Sequence, residues 1–216
     1  MRLILAEHVH GALVDGDLVL LDVAADTYFC LPAADHALSL AGRSVRAEPE
    51  GLALALCEAG LAAPQTHAEP DALALVAPAR TARALLDADP ALAQAPTRWR
   101  HARALVTALA ATRRADQRPF AARLGHAEPV ASRCSPALLA DLAVFRRVTP
   151  WLPIDGLCLF RSQFLRAYLR ALGHRSTWTF GVRTWPFRAH CWLQAGDVAL
   201  DDEAERLVAF HLIMAV

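Results

Sequence analysis

The sequence has no excess of charge, no paired cysteine motif and no long apolar run. Its 22 basic side chains balance 22 acidic ones, so there is no electrostatic reason to expect nucleic acid or an anionic membrane as a partner. The five cysteines include no CxxC pair, and an odd number at this spacing fits neither a disulfide framework nor a zinc site. We therefore expect no bound metal.

Membrane and cofactor signatures are also missing. No uninterrupted apolar stretch approaches the roughly 18 residues that a membrane span needs, although 55% of the residues are hydrophobic. The first residues meet a charge too early for a signal peptide. No P-loop or other phosphate-binding motif is present, so no cofactor is predicted. These absences predict a compact cytoplasmic protein, and 216 residues suffice for one domain or two small ones.

The first part of the chain predicts a small α+β module. Three short stretches rich in β-formers are separated by turn signals, of which Asp15-Gly16 is the strongest: Val9–Val14, Leu18–Val23 and Thr27–Leu31. Two helical stretches follow, near Ala34–Leu40 and Pro49–Ala59. This order predicts a winged-helix-like module, with an ordinary packing domain as the alternative. Its exposed strand edge is either an aggregation hazard or a docking site.

A polar segment bounded by prolines, Pro64–Pro70, predicts a linker between a domain of residues 1–66 and a domain of residues 67–216. Helices are predicted near Ala72–Ala88, interrupted at Pro78, and over Thr97–Arg114. An irregular stretch covers Arg118–Cys134. Ser135 and Pro136 then predict the N-cap and first residue of another helix, which runs to about Arg147.

The segment from Asp155 to Gly173 predicts a helix that begins close to a cysteine. Apolar residues recur at helical spacing from Phe160 to Leu172, and Gly173 is well placed to cap the end. Cys158 therefore falls in the first turn, where free N–H groups and the helix dipole favour an anion. A thiol there has a lowered pKa and acts as a nucleophile. The alternative is a buried cysteine that only fills space.

After Gly173 the apolar pattern changes to period 2 and predicts three strands, Thr177–Val182, Arg188–Gln194 and Val198–Asp202. A three-residue loop centred on Gly196 would place His190 directly opposite Asp202. A two-residue turn at Gly196-Asp197 would instead oppose His190 to Glu203.

These residues predict a Cys-His-Asp arrangement. Cys158 would attack a carbonyl, and the backbone N–H of Cys158 would stabilise the oxyanion. His190 would hold the thiolate as an ion pair and then protonate the leaving amine. Asp202 would accept the Nδ1–H bond of His190 and so orient the ring. Each residue has a structural alternative, a core histidine or a solvated aspartate, and Cys191 is predicted to face the opposite side of its strand.

Five short motifs together resemble the lasso-peptide B protein, the transglutaminase-like cysteine protease that removes the leader from a lasso-peptide precursor. They are Gly-Leu-Cys158-Leu-Phe-Arg-Ser162, Leu169-Arg-Ala-Leu-Gly173-His, Phe180-Gly-Val182, Phe187-Arg-Ala-His190-Cys-Trp192 and Asp201-Asp202. The resemblance spans roughly Leu138 to Asp202. Residues up to about Ala63 resemble the precursor-recognition domain related to the pyrroloquinoline quinone peptide chaperone. The implied fold is a winged-helix-like recognition domain fused to a papain/transglutaminase-like domain.

The resemblance also implies partners and binding residues. The leader would add a strand to the Thr27–Leu31 edge, at Thr27, Tyr28 and Phe29, and contact the second helix at Leu56. A partner cyclase would then close the macrolactam in an ATP-dependent step, so any nucleotide requirement belongs to that partner. Two departures stand out: Cys191 occupies a position that is usually small, and Asp201 precedes Asp202, which leaves two candidates for the orienting acid.

Two other functions remain open from the sequence. One is a catalytically inactive leader-binding scaffold for the cyclase, which the intact Cys158, His190 and Asp202 disfavour. The other is a different Cys-His-Asp acyl-transfer enzyme on the same fold, such as an acyltransferase or a crosslinking transglutaminase. The N-terminal docking module favours a peptide substrate.

Overall fold

The computed structural model describes residues 1–66, 76–125, 132–152 and 157–216. Over these ranges the chain is a mixed α/β protein with three antiparallel or mixed sheets. No helix in the described ranges is both long and apolar enough to cross a membrane.

Residues 1–66 form two sheets and one α-helix. The elements are β1 (Arg2–Leu5), β2 (Val9–Val14), β3 (Asp17–Asp22), β4 (Thr27–Leu31), β5 (Leu38–Ala41), β6 (Ser44–Ala47), α1 (Glu50–Glu58) and β7 (Ala62–Pro64). One sheet has the order β5-β6-β1-β7 and the other is the meander β2-β3-β4. The predicted meander and second helix are confirmed, to within a residue or two at their ends.

The predicted helix near Ala34–Leu40 is wrong. The chain makes only a short 3-10 helix at Ala34–His36, and β5 follows at once and pairs with β6. Alanine and leucine are good helix formers, but the sheet pairing outweighs this weak local preference. With two sheets and a single α-helix, residues 1–66 do not show the predicted winged-helix-like arrangement.

The C-terminal half contains one five-stranded sheet packed against helices. Its elements are β8 (Arg80–Thr81), α2 (Ala82–Ala88), α3 (Pro90–Ala93), α4 (Trp99–Asp116), α5 (Phe120–Leu124), α6 (Pro136–Val148), α7 (Cys158–Ala171), β9 (Thr177–Arg183), β10 (Arg188–Ala195), β11 (Val198–Ala199), α8 (Ala204–Leu207) and β12 (His211–Ala215). The strand order is β12-β9-β10-β11-β8, with β8 and β11 parallel. The helix α7 packs on β10, which brings the start of the helix to the sheet.

Several predicted boundaries change. The predicted helix near Ala72–Ala88 begins only at Ala82, because Arg80 and Thr81 pair with β11, and residues 72–75 lie outside the described residues. The predicted irregular stretch contains α5. Pro64, at the start of the predicted linker, pairs with Leu3 in the first sheet, and residues 67–70 lie outside the described residues.

The strand β3 is buried on both faces and belongs to two cores. Leu18 and Leu20 pack with β1, β6 and α1. Val19 and Leu21 point to the other side and pack with the helices and sheet of the C-terminal half. Because neighbouring strand residues face opposite sides, the meander is a layer shared by the two halves of the molecule.

A buried aspartate fixes the C-terminal end of α7. Asp141 of α6 bonds His101 Nε2 at 3.0 Å and His174 Nε2 at 2.9 Å, and it pairs with Arg100 at 2.5 Å. Tyr168 of α7 donates its hydroxyl to the Asp141 carbonyl at 3.1 Å. A buried carboxylate is tolerated only with such partners, so this network ties α4, α6 and α7 into one unit.

Candidate active site

Cys158 is the first residue of α7, with Leu157 as the N-cap. The first N–H groups of a helix have no acceptor within the helix, and the dipole there favours a negative charge. Cys158 is half-buried and packs against the core. Its position confirms the predicted place of this thiol in the first turn.

Ser162, one turn along α7, anchors this start to the sheet. Its hydroxyl donates to the Cys158 carbonyl at 2.6 Å and accepts from Trp178 Nε1 at 3.1 Å. Trp178 lies on β9 and is completely buried. The nucleophile candidate is therefore held by a hydrogen-bonded chain that runs from the core to its own backbone.

His190 of β10 and Asp202 are in direct contact, with 2.6 Å between His190 Nε2 and Asp202 Oδ2. This contact was predicted from a three-residue loop and through Nδ1, and the structure has neither; it has the two-residue turn that the sequence left open. The turn is the two-residue type, since Ala195 pairs with Val198 and Gln194 with Ala199. The carboxylate also bonds Nε2 rather than Nδ1, so Nδ1 is the ring nitrogen left to face the cysteine.

Asp201 explains how Asp202 reaches His190 despite that register. The strand β11 ends at Ala199, and Asp201 Oδ1 then accepts a hydrogen bond of 2.7 Å from the Leu193 backbone N–H. The Asp201 side chain thus takes the place of a backbone acceptor. Asp202, the next residue, is directed to the histidine, and its Oδ1 accepts from the Glu203 N–H at 2.7 Å.

Aromatic rings surround His190. The ring of Phe210 lies 5.4 Å from that of His190, and the ring of Trp192 lies 6.0 Å away, centroid to centroid. Gly181 is the cross-strand partner of His190, and a Cβ there would lie 2.8 Å from the Trp192 ring. A glycine at 181 therefore allows Trp192 to pack close under the histidine. No motif in the sequence marks Phe210 or Gly181 for this role.

The thiol and the imidazole stabilise each other's charges. Hydrogen bonds from Cys191 and His190 lower the pKa of Cys158 to about 4, against the opposing effect of burial. The hydrogen bond to Asp202 and that to Cys158 raise the pKa of His190 to about 9. At neutral pH the site therefore holds a thiolate and an imidazolium, the charge state of a reactive cysteine.

The two adjacent aspartates differ in charge. Burial alone would raise the pKa of Asp202, but hydrogen bonds from His190 and the Glu203 N–H outweigh it, so the pKa is lowered. Burial raises the pKa of Asp201 to about 7, although the Leu193 N–H favours its charged form. Asp202 is thus the ionised partner of His190, while Asp201 shapes the backbone.

Cys191 lies in the core, as the alternating strand pattern predicts, and it also lies beside the Cys158 thiol. It is buried, at 5% exposure, and lies in the core as expected. Its Sγ lies 3.3 Å from Ser162 Oγ, which in turn bonds the Cys158 carbonyl. Burial and the Cys158 thiolate raise the pKa of Cys191, so this second thiol stays protonated.

The predicted peptide-binding residues divide into two groups. Thr27, Tyr28 and Phe29 lie on β4, which pairs with β3 on one side and is an edge of its sheet. Thr27 and Phe29 are exposed and Tyr28 is half-buried. Leu56, in contrast, is only 4% exposed and packs in the core of residues 1–66, so its side chain offers no surface to a peptide.

Tyr28 brings the N-terminal sheet to the cysteine. Burial raises the pKa of its hydroxyl to about 12, with further contributions from nearby Cys191, Asp26 and Cys158. Its ring makes an edge-on contact of 5.4 Å with Phe187, just before β10. In the same loop, Trp185 Nε1 donates to Asp17 Oδ2 of β3 at 2.8 Å. The sequence pattern predicts Tyr28 on a docking edge but gives no sign that this edge approaches Cys158.

One cavity borders the site and a second lies apart from it. The first, of about 540 Å³, lies beside Asp201 and Asp202 and is also lined by Arg146 and Arg161. The second, of about 840 Å³, includes Arg166 and Arg170 of α7 in its lining but none of Cys158, His190 and Asp202. Within the described ranges, no three His, Cys, Asp or Glu side chains are grouped to hold a metal ion.

The comparison with known families agrees with this geometry. The family described as the transglutaminase-like superfamily matches residues 72–215, which include Cys158, His190 and Asp202. No curated protein and no solved structure matches the chain. This superfamily commonly contains cysteine peptidases and transglutaminases that use a Cys-His-Asp group. Since the match covers more than half of the sequence, the chain belongs to the transglutaminase-like superfamily.

Proposed function

We propose that this protein is a cysteine peptidase that binds the leader of a lasso-peptide precursor and cleaves it from the core peptide. One observation supports the peptidase activity most directly. His190 Nε2 lies 2.6 Å from Asp202 Oδ2, and Cys158 and His190 shift each other's pKa towards the charged forms. A thiolate, an imidazolium and an orienting carboxylate in this order are the groups that acyl transfer from an amide requires.

The first half of the reaction forms a thioester. The Cys158 thiolate attacks the carbonyl carbon of the scissile bond, and free N–H groups at the start of α7, that of Cys158 among them, stabilise the oxyanion. His190 then gives the proton on Nδ1 to the leaving amine as the C–N bond breaks. Asp202 holds the ring through Nε2 during this transfer.

The second half releases the leader. His190, now neutral, takes a proton from water, and the resulting hydroxide attacks the thioester carbonyl. The C–S bond breaks, the leader leaves with a new carboxylate, and the Cys158 thiolate is restored. Asp202 stabilises the imidazolium that forms again.

The edge strand β4 supports a peptide as the substrate. An extended peptide adds to an exposed strand edge through main-chain hydrogen bonds, with side chains setting the specificity. Phe29 on β4 exposes 39% of its surface. Phe187, which contacts Tyr28 of β4, and Trp185, which bonds Asp17 of β3, expose 46% and 76%. Tyr28 connects this edge to the surroundings of Cys158. A leader docked on β4 would therefore continue towards the nucleophile.

The lasso-peptide substrate rests on the motifs around Cys158 and His190 and on the edge strand that precedes the superfamily domain. In this proposal the partners are the precursor leader and an ATP-dependent cyclase, which closes the macrolactam after cleavage. Any need for ATP lies with the cyclase. Cleavage precedes closure because it supplies the free amine of the core peptide.

A cleavage assay on the cognate precursor tests the proposal. The full chain and its Cys158→Ala variant are incubated with the precursor, with and without the cyclase, and the products are read by mass spectrometry. We expect a leader fragment from the wild type and none from the variant, while the variant still binds the leader. Cleavage by Cys158→Ala would overturn the nucleophile assignment. Binding without cleavage by the wild type would indicate the scaffold function, and an amine-linked product would indicate acyl transfer.

A further inference from the structure

Cys158 has a second sulfur beside it, that of Cys191, which takes part in no bond-making or bond-breaking step of the proposed cleavage. Cys158 begins α7 and Cys191 lies within β10, so the contact joins a helix to the sheet. Ser162 Oγ donates to the Cys158 carbonyl at 2.6 Å and lies 3.3 Å from Cys191 Sγ, so this one side chain bridges the first turn of α7 and Cys191. Each thiol is also the largest influence on the pKa of the other, as expected of two neighbouring sulfurs.

We propose that Cys158 and Cys191 form a reversible disulfide when a hydroperoxide oxidises the site, and that this bond switches the enzyme off and protects its nucleophile. The inference rests on the proposed function for its regulatory meaning. Its chemistry requires only the two thiols and the peroxide.

The reaction balances in two steps. The Cys158 thiolate attacks one oxygen of hydrogen peroxide, the O–O bond breaks, and Cys158 becomes a sulfenic acid as hydroxide leaves and takes a proton to become water. Cys191 then attacks the Cys158 sulfur, the S–O bond breaks, and the Cys191 proton leaves with the hydroxide as a second water. Two thiols and one hydrogen peroxide become one disulfide and two waters.

The surroundings favour oxidation at Cys158 over the other thiols. His190 stabilises the Cys158 thiolate, and this side chain is half-buried rather than enclosed. Burial raises the pKa of both Cys30 and Cys134, so they hold less thiolate at neutral pH. Thiolate character and access together determine which cysteine a peroxide oxidises.

Cys191 is suited to the second step by its burial. At 5% exposure it is poorly accessible to solvent peroxide, but Ser162 holds it beside the first turn of α7, where the sulfur that reacts first lies. A sulfenic acid without a neighbouring thiol proceeds to sulfinic acid, which is not reduced by simple thiols. A partner already in contact captures the sulfenic acid before that stage, and dithiothreitol then restores the enzyme.

Mass spectrometry of the full chain tests the disulfide without any substrate. Wild type, Cys191→Ser and the matched control Cys134→Ser are treated with hydrogen peroxide, quenched with N-ethylmaleimide and digested with trypsin under non-reducing conditions. Arg161 and Arg188 lie between the two cysteines, so trypsin places them on separate peptides. Circular dichroism confirms that each variant is folded.

In wild type and Cys134→Ser we expect the two peptides to be joined, with the mass of two hydrogen atoms lost, and the thiols to return on reduction. In Cys191→Ser we expect Cys158 to gain oxygen instead. Sulfinic acid at Cys158 of the wild type with Cys191 still alkylated would overturn the inference. If Cys191→Ser does not fold, the wild-type peptide map decides alone. Since no precursor is used, a chain that forms the disulfide but cleaves nothing would lose the proposed function and keep this inference.

Discussion

The charge state of Cys158 depends on a histidine whose own charge depends on Asp202. The pKa of Cys158 is lowered to about 4 and that of His190 is raised to about 9. The thiolate and imidazolium therefore coexist between these values. Below about pH 4 the thiolate takes up a proton, and above about pH 9 the imidazolium loses the proton that the leaving amine needs. We expect kcat/KM for precursor cleavage to be bell-shaped with a broad neutral plateau. If kcat/KM instead reached its maximum only near pH 4 or only near pH 9, the thiolate–imidazolium ion pair would be contradicted.

Replacing Asp202 with asparagine should lower the pH at which kcat/KM begins to fall on the alkaline side. The hydrogen bond to Asp202 is the largest cause of the raised pKa of His190, so its loss lets that pKa fall towards the ordinary value for histidine. We expect kcat/KM to fall by about 10²- to 10⁴-fold, the range that general acid–base catalysis contributes. Asp87→Asn, an exposed aspartate paired with Arg83 on α2, is the matched control and should leave the pH profile unchanged. An unchanged alkaline limb in Asp202→Asn would contradict the orienting role.

The positions of single residues were predictable where local pattern determines them. Helical spacing and turn residues were enough to place Cys158 in the first turn of α7. The contact between His190 and Asp202 was predicted through a register that the structure does not have, because the side chain of Asp201 replaces a strand hydrogen bond. The alternating pattern of a strand determines which face Cys191 is on, but not which helix packs on that face. The position of Cys191 beside Cys158 therefore could not be predicted from the sequence.

At the scale of elements, the edge strand β4 makes the next prediction. Phe29 is 39% exposed on this edge, so Phe29→Ser removes apolar surface from the proposed leader site with little loss of core packing. We expect the affinity for a fluorescently labelled leader peptide to fall by about tenfold or more, as an aromatic side chain in such a site commonly contributes more than 1 kcal/mol. Fluorescence anisotropy measures the change.

The control for this substitution is Val106→Ser, which alters a side chain that is 71% exposed on α4. It should leave both leader affinity and the melting temperature unchanged. Equal affinities of wild type and Phe29→Ser for the leader would remove β4 as the docking edge. The proposed role of Cys158 as the nucleophile would not be affected by that result, because cleavage is measured in a separate assay.

Elements held by distant pairing were the hardest to predict. The strand β5 has a sequence of helix formers, Leu-Ser-Leu-Ala, and is a strand because β6 pairs with it. The strands β1, β7 and β8 are short and lack a turn signal that marks them as partners. In contrast, α6 was predictable to within a residue, since Ser135 accepts from the Leu138 N–H and Pro136 starts the helix.

At the scale of the whole molecule, β3 joins the two halves because it contributes side chains to the core of each. Its alternate residues enter separate clusters, Leu20 on one side and Leu21 on the other, and both are completely buried. The direct bond between Trp185 and Asp17 adds a polar contact between the halves. The predicted division into residues 1–66 and 67–216 therefore places a boundary between parts that share buried surface.

This shared core predicts a single cooperative unfolding transition. All five tryptophans lie between residues 99 and 192, so their fluorescence reports on the C-terminal half, whereas far-ultraviolet circular dichroism reports on the whole chain. Leu21→Ala deletes a completely buried side chain of β3, and we expect it to cost about 2–5 kcal/mol. Both signals should shift together, because the cavity lies in the core that holds the sheet and helices around Cys158. Leu54→Ala, a half-exposed side chain on α1, is the control and should move neither midpoint. If the tryptophan midpoint stayed at its wild-type value while circular dichroism showed an earlier transition, the halves would be independent domains, and leader capture on β4 would be coupled to Cys158 only through the connecting chain.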